Sequence, residues 1–294
     1  MPRSALSAGH RTLAGIAHAG LVMAAIFTAA MAGTAPEDRR NFIACPVLQD
    51  TDTVPCWLAE HAGELYFLGI QTDSAGWAPP WLGHEVLVEG RLAGGARICG
   101  GIALTSDSQA PVSPSGTSDG QPLPTPPMVS VMRELNASCN TLLPADPRFH
   151  IIGRRGPGPN TAASALRKPP PAPAPPAVAA PYHAKTFTLT YEFDSELAAR
   201  TIGEALNAVQ YAQAVRAREV TITGYRGSTL LSNGRLAEEI PLIAQLRAQE
   251  LARTLRKLGL PDTATLTVRW NDSLEPADGV TDPERRRAQI AVTP

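Results

Sequence analysis

Residues 219–260 read EVTITGYRGSTLLSNGRLAEEIPLIAQLRAQELARTLRKLGL. The first seven alternate apolar and polar, the period of a strand with one covered face. The last nineteen, 242–260, place Leu246, Leu251, Leu255 and Leu258 on a helical stripe, and Gly259 and Pro261 end it. A strand, a polar loop and a helix therefore follow one another. KTFTLTYEFD (185–194) upstream alternates Phe187, Leu189, Tyr191 and Phe193, so it is a second strand. ELAARTIGEALNAVQYAQAV (196–215) has Leu197, Ile202, Leu206, Val209 and Ala212 near helical spacing. Downstream, TLTVRW (265–270) and RRRAQIAV (285–292) read as two more strands. The order is β-α-β-α-β-β, an α+β unit over 184–294 with both helices on one face of a sheet.

Before this unit lies ALRKPPPAPAPPAVAAPY (165–182), the centre of a Pro/Ala-rich linker over 156–183. Such a segment favours polyproline II and acts as a semi-rigid spacer of roughly 50 Å. It separates the α+β unit from a first module at 41–155. There VPCWLAE (54–60), ELYFLGIQ (64–71), EVLVEGRL (85–92) and ARICGGIAL (96–104) read as short strands around Gly-bearing turns. A small antiparallel all-β sheet or partly open barrel is expected, an OB-like barrel being one form. Residues 106–127 lose all periodicity and read as a disordered insertion. Trp57, Tyr66 and Phe67 read as core. Trp77 and Trp81, in the loop WAPPWLG, are the better candidates for an exposed contact.

The first forty residues read as an address. Arg3 and Arg11 precede the apolar run 13–32, and Ala30-Met31-Ala32 resembles a cleavage site. Residues 1–35 read as a cleaved secretory signal, with an uncleaved anchor as the rival reading. Either way the rest lies outside the cytoplasm, in the periplasm or cell envelope, and at a membrane if the anchor stays. Cys45, Cys56, Cys99 and Cys139 are then expected to form structural disulfides. Three pairings are open. Short loops favour Cys45–Cys56 and Cys99–Cys139, though spacing is a poor guide to folded neighbours.

Composition excludes several classes. The 294 residues carry 26 Lys+Arg and 27 Asp+Glu, a net charge of −1, and 5% aromatics. That removes the usual electrostatic case for nucleic-acid binding and offers few aromatics for base stacking. No metal signature, phosphate loop or triad order is visible, so no cofactor and no enzymatic activity is expected. Glu60, His61 and Glu64 cluster at a hairpin turn, where side chains are mostly solvated.

Taken in order, YEFDS (191–195), TITGY (221–225), LRAQELARTLRKLGL (246–260) and RRRAQIAV (285–292) resemble the C-terminal peptidoglycan-associating domain of outer-membrane protein A, the OmpA-like family. The resemblance covers the last 110 residues or so. It implies non-covalent binding of the peptidoglycan stem, its diaminopimelate head held between an Asp after the second strand and an Arg on the second helix. A bidentate Arg–carboxylate contact supplies both charge and geometry. Arg247 matches that Arg. The Asp position is Gly227, in the segment Gly224-Tyr225-Arg226-Gly227, and Arg226 stands where the family has Thr. Glu238 or Glu239, on a longer loop, could replace the lost anion. Arg286 and Arg287 match a family Arg pair, one of them near the same cleft. The resemblance thus implies an exported peptidoglycan-anchoring protein with a degenerate site. The rival is an envelope scaffold that keeps the fold without that ligand. An envelope protein or glycan would contact the first module.

Overall fold

The computed structural model describes residues 37–70, 82–106, 116–153, 181–198 and 201–294. The apolar segment 1–35, Trp77 and Trp81, and nearly all of the Pro/Ala-rich linker lie outside these residues. No helix among the described residues is long and apolar enough to cross a membrane.

The described part of the first module, 37–153, contains strands and no helix. They are β1 (Arg39–Ala44), β2 (Pro46–Gln49), β3 (Cys56–His61), β4 (Glu64–Ile70), β5 (His84–Leu92), β6 (Ile102–Thr105), β7 (Gly116–Ser118), β8 (Gln121–Pro122), β9 (Met128–Leu135), β10 (Thr141–Leu143) and β11 (Ile151–Gly153). Eight form one sheet in the order β1-β5-β6-β4-β3-β2-β10, with β9 also paired to β5. The pairs β4–β6 and β2–β10 are parallel. The sheet is therefore mixed, not antiparallel, and larger than the five strands of an OB barrel. One face buries Phe42, Trp57, Tyr66, Leu68, Val86, Val88 and Leu104. The other buries Leu58, Phe67, Ile70 and Ala103 with Leu123 and Ile151. His61 is not free at its turn, because its ring stacks on Phe42 at 4.5 Å.

Two expectations for this module are corrected. Residues 116–127 are not a disordered insertion. They form β7 and β8, which build a three-stranded sheet with β11 and bury Leu123. Proline-rich sequence is compatible with short edge strands that need few ladder bonds. The disulfides are Cys45–Cys139 and Cys56–Cys99, not the short-loop pairs. Parallel pairing of β10 with β2 brings Cys139 beside Cys45. Cys56, opening β3, meets the tight turn at Ile98–Gly101 that leads into β6.

The second unit contains β12 (Lys185–Thr190), α1 (Ile202–Val215), β13 (Glu219–Tyr225), β14 (Ser228–Leu230), β15 (Leu236–Glu238), α2 (Ile243–Lys257), β16 (Thr265–Asn271), α3 (Asp282–Arg285) and β17 (Arg287–Thr293). The four-stranded sheet runs β12-β17-β13-β16. Its covered face packs Leu189, Val220, Ile222, Ile290 and Val292 against Ala205, Ala208, Val209 and Ala212 of α1 and Ala248, Leu251 and Leu255 of α2. The longer loop 226–242 contains the hairpin β14–β15.

The stripe expected on the first helix is corrected. Leu197, Ile202 and Leu206 are exposed; Val209 and Ala212 are buried as expected, with Ala205, Ala208 and Val215 completing the face. Alanines let the helix sit close on the sheet, where leucines would hold it off. Residues 196–198 are also outside the helix.

The described residues from 37 onward form one compact unit. Asn41 Nδ2 donates to the carbonyls of Leu230 and Gly279, and the Phe193 amide donates to Ser130 Oγ. Phe193 shares a cluster with Leu87 and Leu231. The two modules are therefore packed together through buried residues, not held apart by a spacer.

Candidate functional site

The YEFDS turn, the end of β13 and the first turn of α2 converge on Arg247. Gly224 faces α2 so closely that a Cβ there would overlap the Ala244 carbonyl. That approach brings the helix start down onto the strand end, and Arg247 lands beneath the 192–195 turn. Its side chain is fully buried. All five N–H groups are used. Nε donates to the Ser195 carbonyl at 2.8 Å, Nη1 to the Tyr225 carbonyl at 3.0 Å, and Nη2 to the Glu192 carbonyl at 3.1 Å. The two remaining N–H groups, one on each Nη, form a fork on Glu239, with Nη1–Oε2 at 2.8 Å and Nη2–Oε1 at 2.5 Å. The guanidinium also lies 4.8 Å from the centre of the Tyr191 ring.

Glu239 is equally saturated. Oε2 accepts the Gly227 amide at 2.8 Å and Oε1 the Asp194 amide at 2.9 Å, besides the two arginine contacts. Its side chain is fully buried too. Asp194 holds the loop from the other side, its Oδ1 accepting the Ile240 amide at 2.8 Å. Burial pushes the Asp194 carboxyl up from the ordinary aspartate value. The Ile240 bond opposes that shift, and the Glu239 charge adds to it. Burial likewise raises the Tyr191 phenol, against the pull of Arg247. A paired, four-fold hydrogen-bonded carboxylate is the arrangement a buried charge requires.

The residues singled out in the sequence are thus partly brought together. Arg247, Tyr225 (through its carbonyl), Gly227 and Glu239 meet at one point. Arg226 seals the edge, its Nε donating to the Glu239 carbonyl at 2.8 Å. Glu238 points outward and reaches Arg226 only at 3.5 Å. Arg287 is on the far face of the sheet, 4.5 Å from the Tyr225 ring centre and paired with Glu275 at 2.6 Å. It lines a separate cleft of about 790 Å³ with Arg39, Thr188, Thr190 and Gln289.

Arg286 is not in the final strand and faces no open cleft. It is fully buried and forks onto Glu89 of β5, at 2.9 Å and 2.6 Å. Its other donors go to Thr229 Oγ1 at 2.8 Å, Met128 Sδ at 3.2 Å and the Tyr191 carbonyl at 3.4 Å. Burial works to lower its pKa, but the Glu89 charge and hydrogen bonds, together with the charges of Glu239 and Asp282, outweigh it and raise it. Glu89 and Asp282 went unrecognised in the sequence. Asp282, also buried, accepts amides from Leu230, Asp278 and Gly279 and ties α3 to β14. A signal for Glu89 was present: Val86-Leu87-Val88 breaks alternation, as in a strand covered on both faces.

Arg286 also gives a structural reason why Gly227 has no side chain. A Cβ at Gly227 would lie 2.8 Å from Arg286 Cγ. Gly227→Asp should therefore not rebuild an anion site. We expect loss of stability of about 1–3 kcal/mol from overpacking, read by denaturant unfolding. A Gly227→Asp protein as stable as wild type would show that Arg286 yields freely.

No family model and no curated protein matches the chain. Among solved structures, the OmpA-like domain of FopA1 from Francisella tularensis subsp. tularensis SCHU S4 aligns at 20% identity, over 38% of this chain and 73% of that chain, with a TM-score of 0.29. A likeness at that TM-score carries no argument, so fold and site rest on the geometry above.

Proposed function

We propose that this chain is an exported, non-catalytic protein of the cell envelope that acts as a structural or interaction scaffold. In this reading it keeps an OmpA-like arrangement whose stem-carboxylate position is filled from within. The observation that carries the reading is the Arg247–Glu239 fork. Every N–H of Arg247 already has a partner. An incoming carboxylate would have to displace a buried, four-fold hydrogen-bonded one. The envelope location is supported by the apolar segment at 13–32 and by two disulfides, which persist in oxidising compartments. Peptidoglycan anchoring, the role implied by the family, requires Glu239 to leave Arg247.

Sedimentation of the full chain with purified sacculi tests this. Wild-type protein should stay in the supernatant, with or without free diaminopimelate. Retention on sacculi that free diaminopimelate competes away would overturn the scaffold reading and return Arg247 to ligand binding.

A further inference from the structure

The sheet order leaves β16 at an edge, with β13 as its one neighbour among the described residues. An edge strand presents a row of unused backbone donors and acceptors, a template for another strand. β16 carries seven residues, Thr265–Asn271, long enough for such pairing.

The side chains around this edge are unusual in two ways. Leu266 and Val268 pack on the core from the helix side, and Trp270 continues the same alternating row. Trp270 is nevertheless 45% exposed. It closes one end of a groove of about 370 Å³ whose walls are Val268 on the strand and Gln249, Ala252, Arg253 and Arg256 on α2. Cations flank the edge on both faces. Arg256 on the groove wall and Lys257 end α2, while Arg269 projects from the opposite face of β16; all three are exposed. Arg253 is paired with Glu250 at 2.6 Å. Asp262 and Asp272 flank the edge in sequence, leaving the cations in excess.

We propose that the β16 edge and its groove receive an extended acidic peptide segment of another protein as an added strand. Backbone pairing would supply the alignment. Alternate apolar side chains of the guest would lie over Trp270 and in the groove, and the carboxylates between them would meet Arg269 on the opposite face. A second copy of this chain is a poor occupant, because edge-to-edge pairing would set these cations against their own kind.

The test uses the full chain and a capped ten-residue peptide alternating glutamate and valine. Binding should slow hydrogen exchange of the amides at 265–271 by about tenfold or more. It should weaken as ionic strength rises from about 0.05 to 0.5 M. Trp270→Ala and Arg269→Glu should each weaken binding by about tenfold or more. Both side chains are exposed, so neither change should unfold the protein. Unchanged exchange at 265–271 with saturating peptide would overturn the proposal. So would equal binding of a lysine–valine peptide. A chitin tetrasaccharide that perturbs Trp270 without protecting the strand would make this a glycan site instead. Protection of 265–271 with rising protein concentration and no peptide would make it a self-association edge.

Discussion

Glu239→Ala should lower the stability of the full chain by about 3–5 kcal/mol, the range for stranding one charge of a buried pair. In a chain of this size that corresponds to a fall in Tm of roughly 6–20 °C. The loss has two parts. Arg247 keeps its charge in a fully buried site, with two donors left unmet. The amides of Gly227 and Asp194 also lose their acceptor, and each orphaned buried donor costs about 1–3 kcal/mol. Glu239→Gln, which keeps the shape and half the acceptors, should fall between. Thermal unfolding followed by circular dichroism separates the three proteins. An alanine variant as stable as wild type would mean that Arg247 reaches solvent, and the closed-site reading would fail.

The second large effect concerns Glu89 and Arg286. Glu89→Leu and Arg286→Met should each cost about 3–5 kcal/mol, yet the double variant should recover most of the loss. Two apolar side chains can pack in a buried site, whereas one charge left there has no partner. The pair joins β5 of the first module to the turn before β17. Either single variant should therefore loosen the junction, and fluorescence and circular dichroism transitions that coincide in the wild type should separate. Additive losses in the double variant would show that the two residues are not coupled.

How much of this was legible beforehand depended on what each residue faces. The span 219–225 emerged as a strand residue for residue, because one covered face writes a clean alternation. The second helix, expected over 242–260, forms over Ile243–Lys257. The first helix misled in part, because Leu197, Ile202 and Leu206 are on the outside and its contact face is made of alanine and valine. Arg247 and Glu239 could be named from a resemblance, but not their mutual saturation. That depends on carbonyls and amides of the 192–195 turn, which carry no side-chain signature. The junction was illegible for a different reason. Glu89 and Arg286 are 197 residues apart, and each alone reads as a polar surface residue. The spacer reading failed with it, since a proline-rich tract says nothing about whether its flanks touch.

The nesting of the disulfides bears on how the chain must be made. Cys45 bonds to Cys139 around the inner pair Cys56–Cys99. A chain delivered from its N-terminus offers Cys45 and Cys56 to an oxidant first, only eleven positions apart. An oxidase acting in order of arrival would join those two, and the native sheet needs them apart. If the chain is exported as proposed above, N-terminus first, the yield of the native pairing should depend on a catalyst that reshuffles bonds as well as one that makes them.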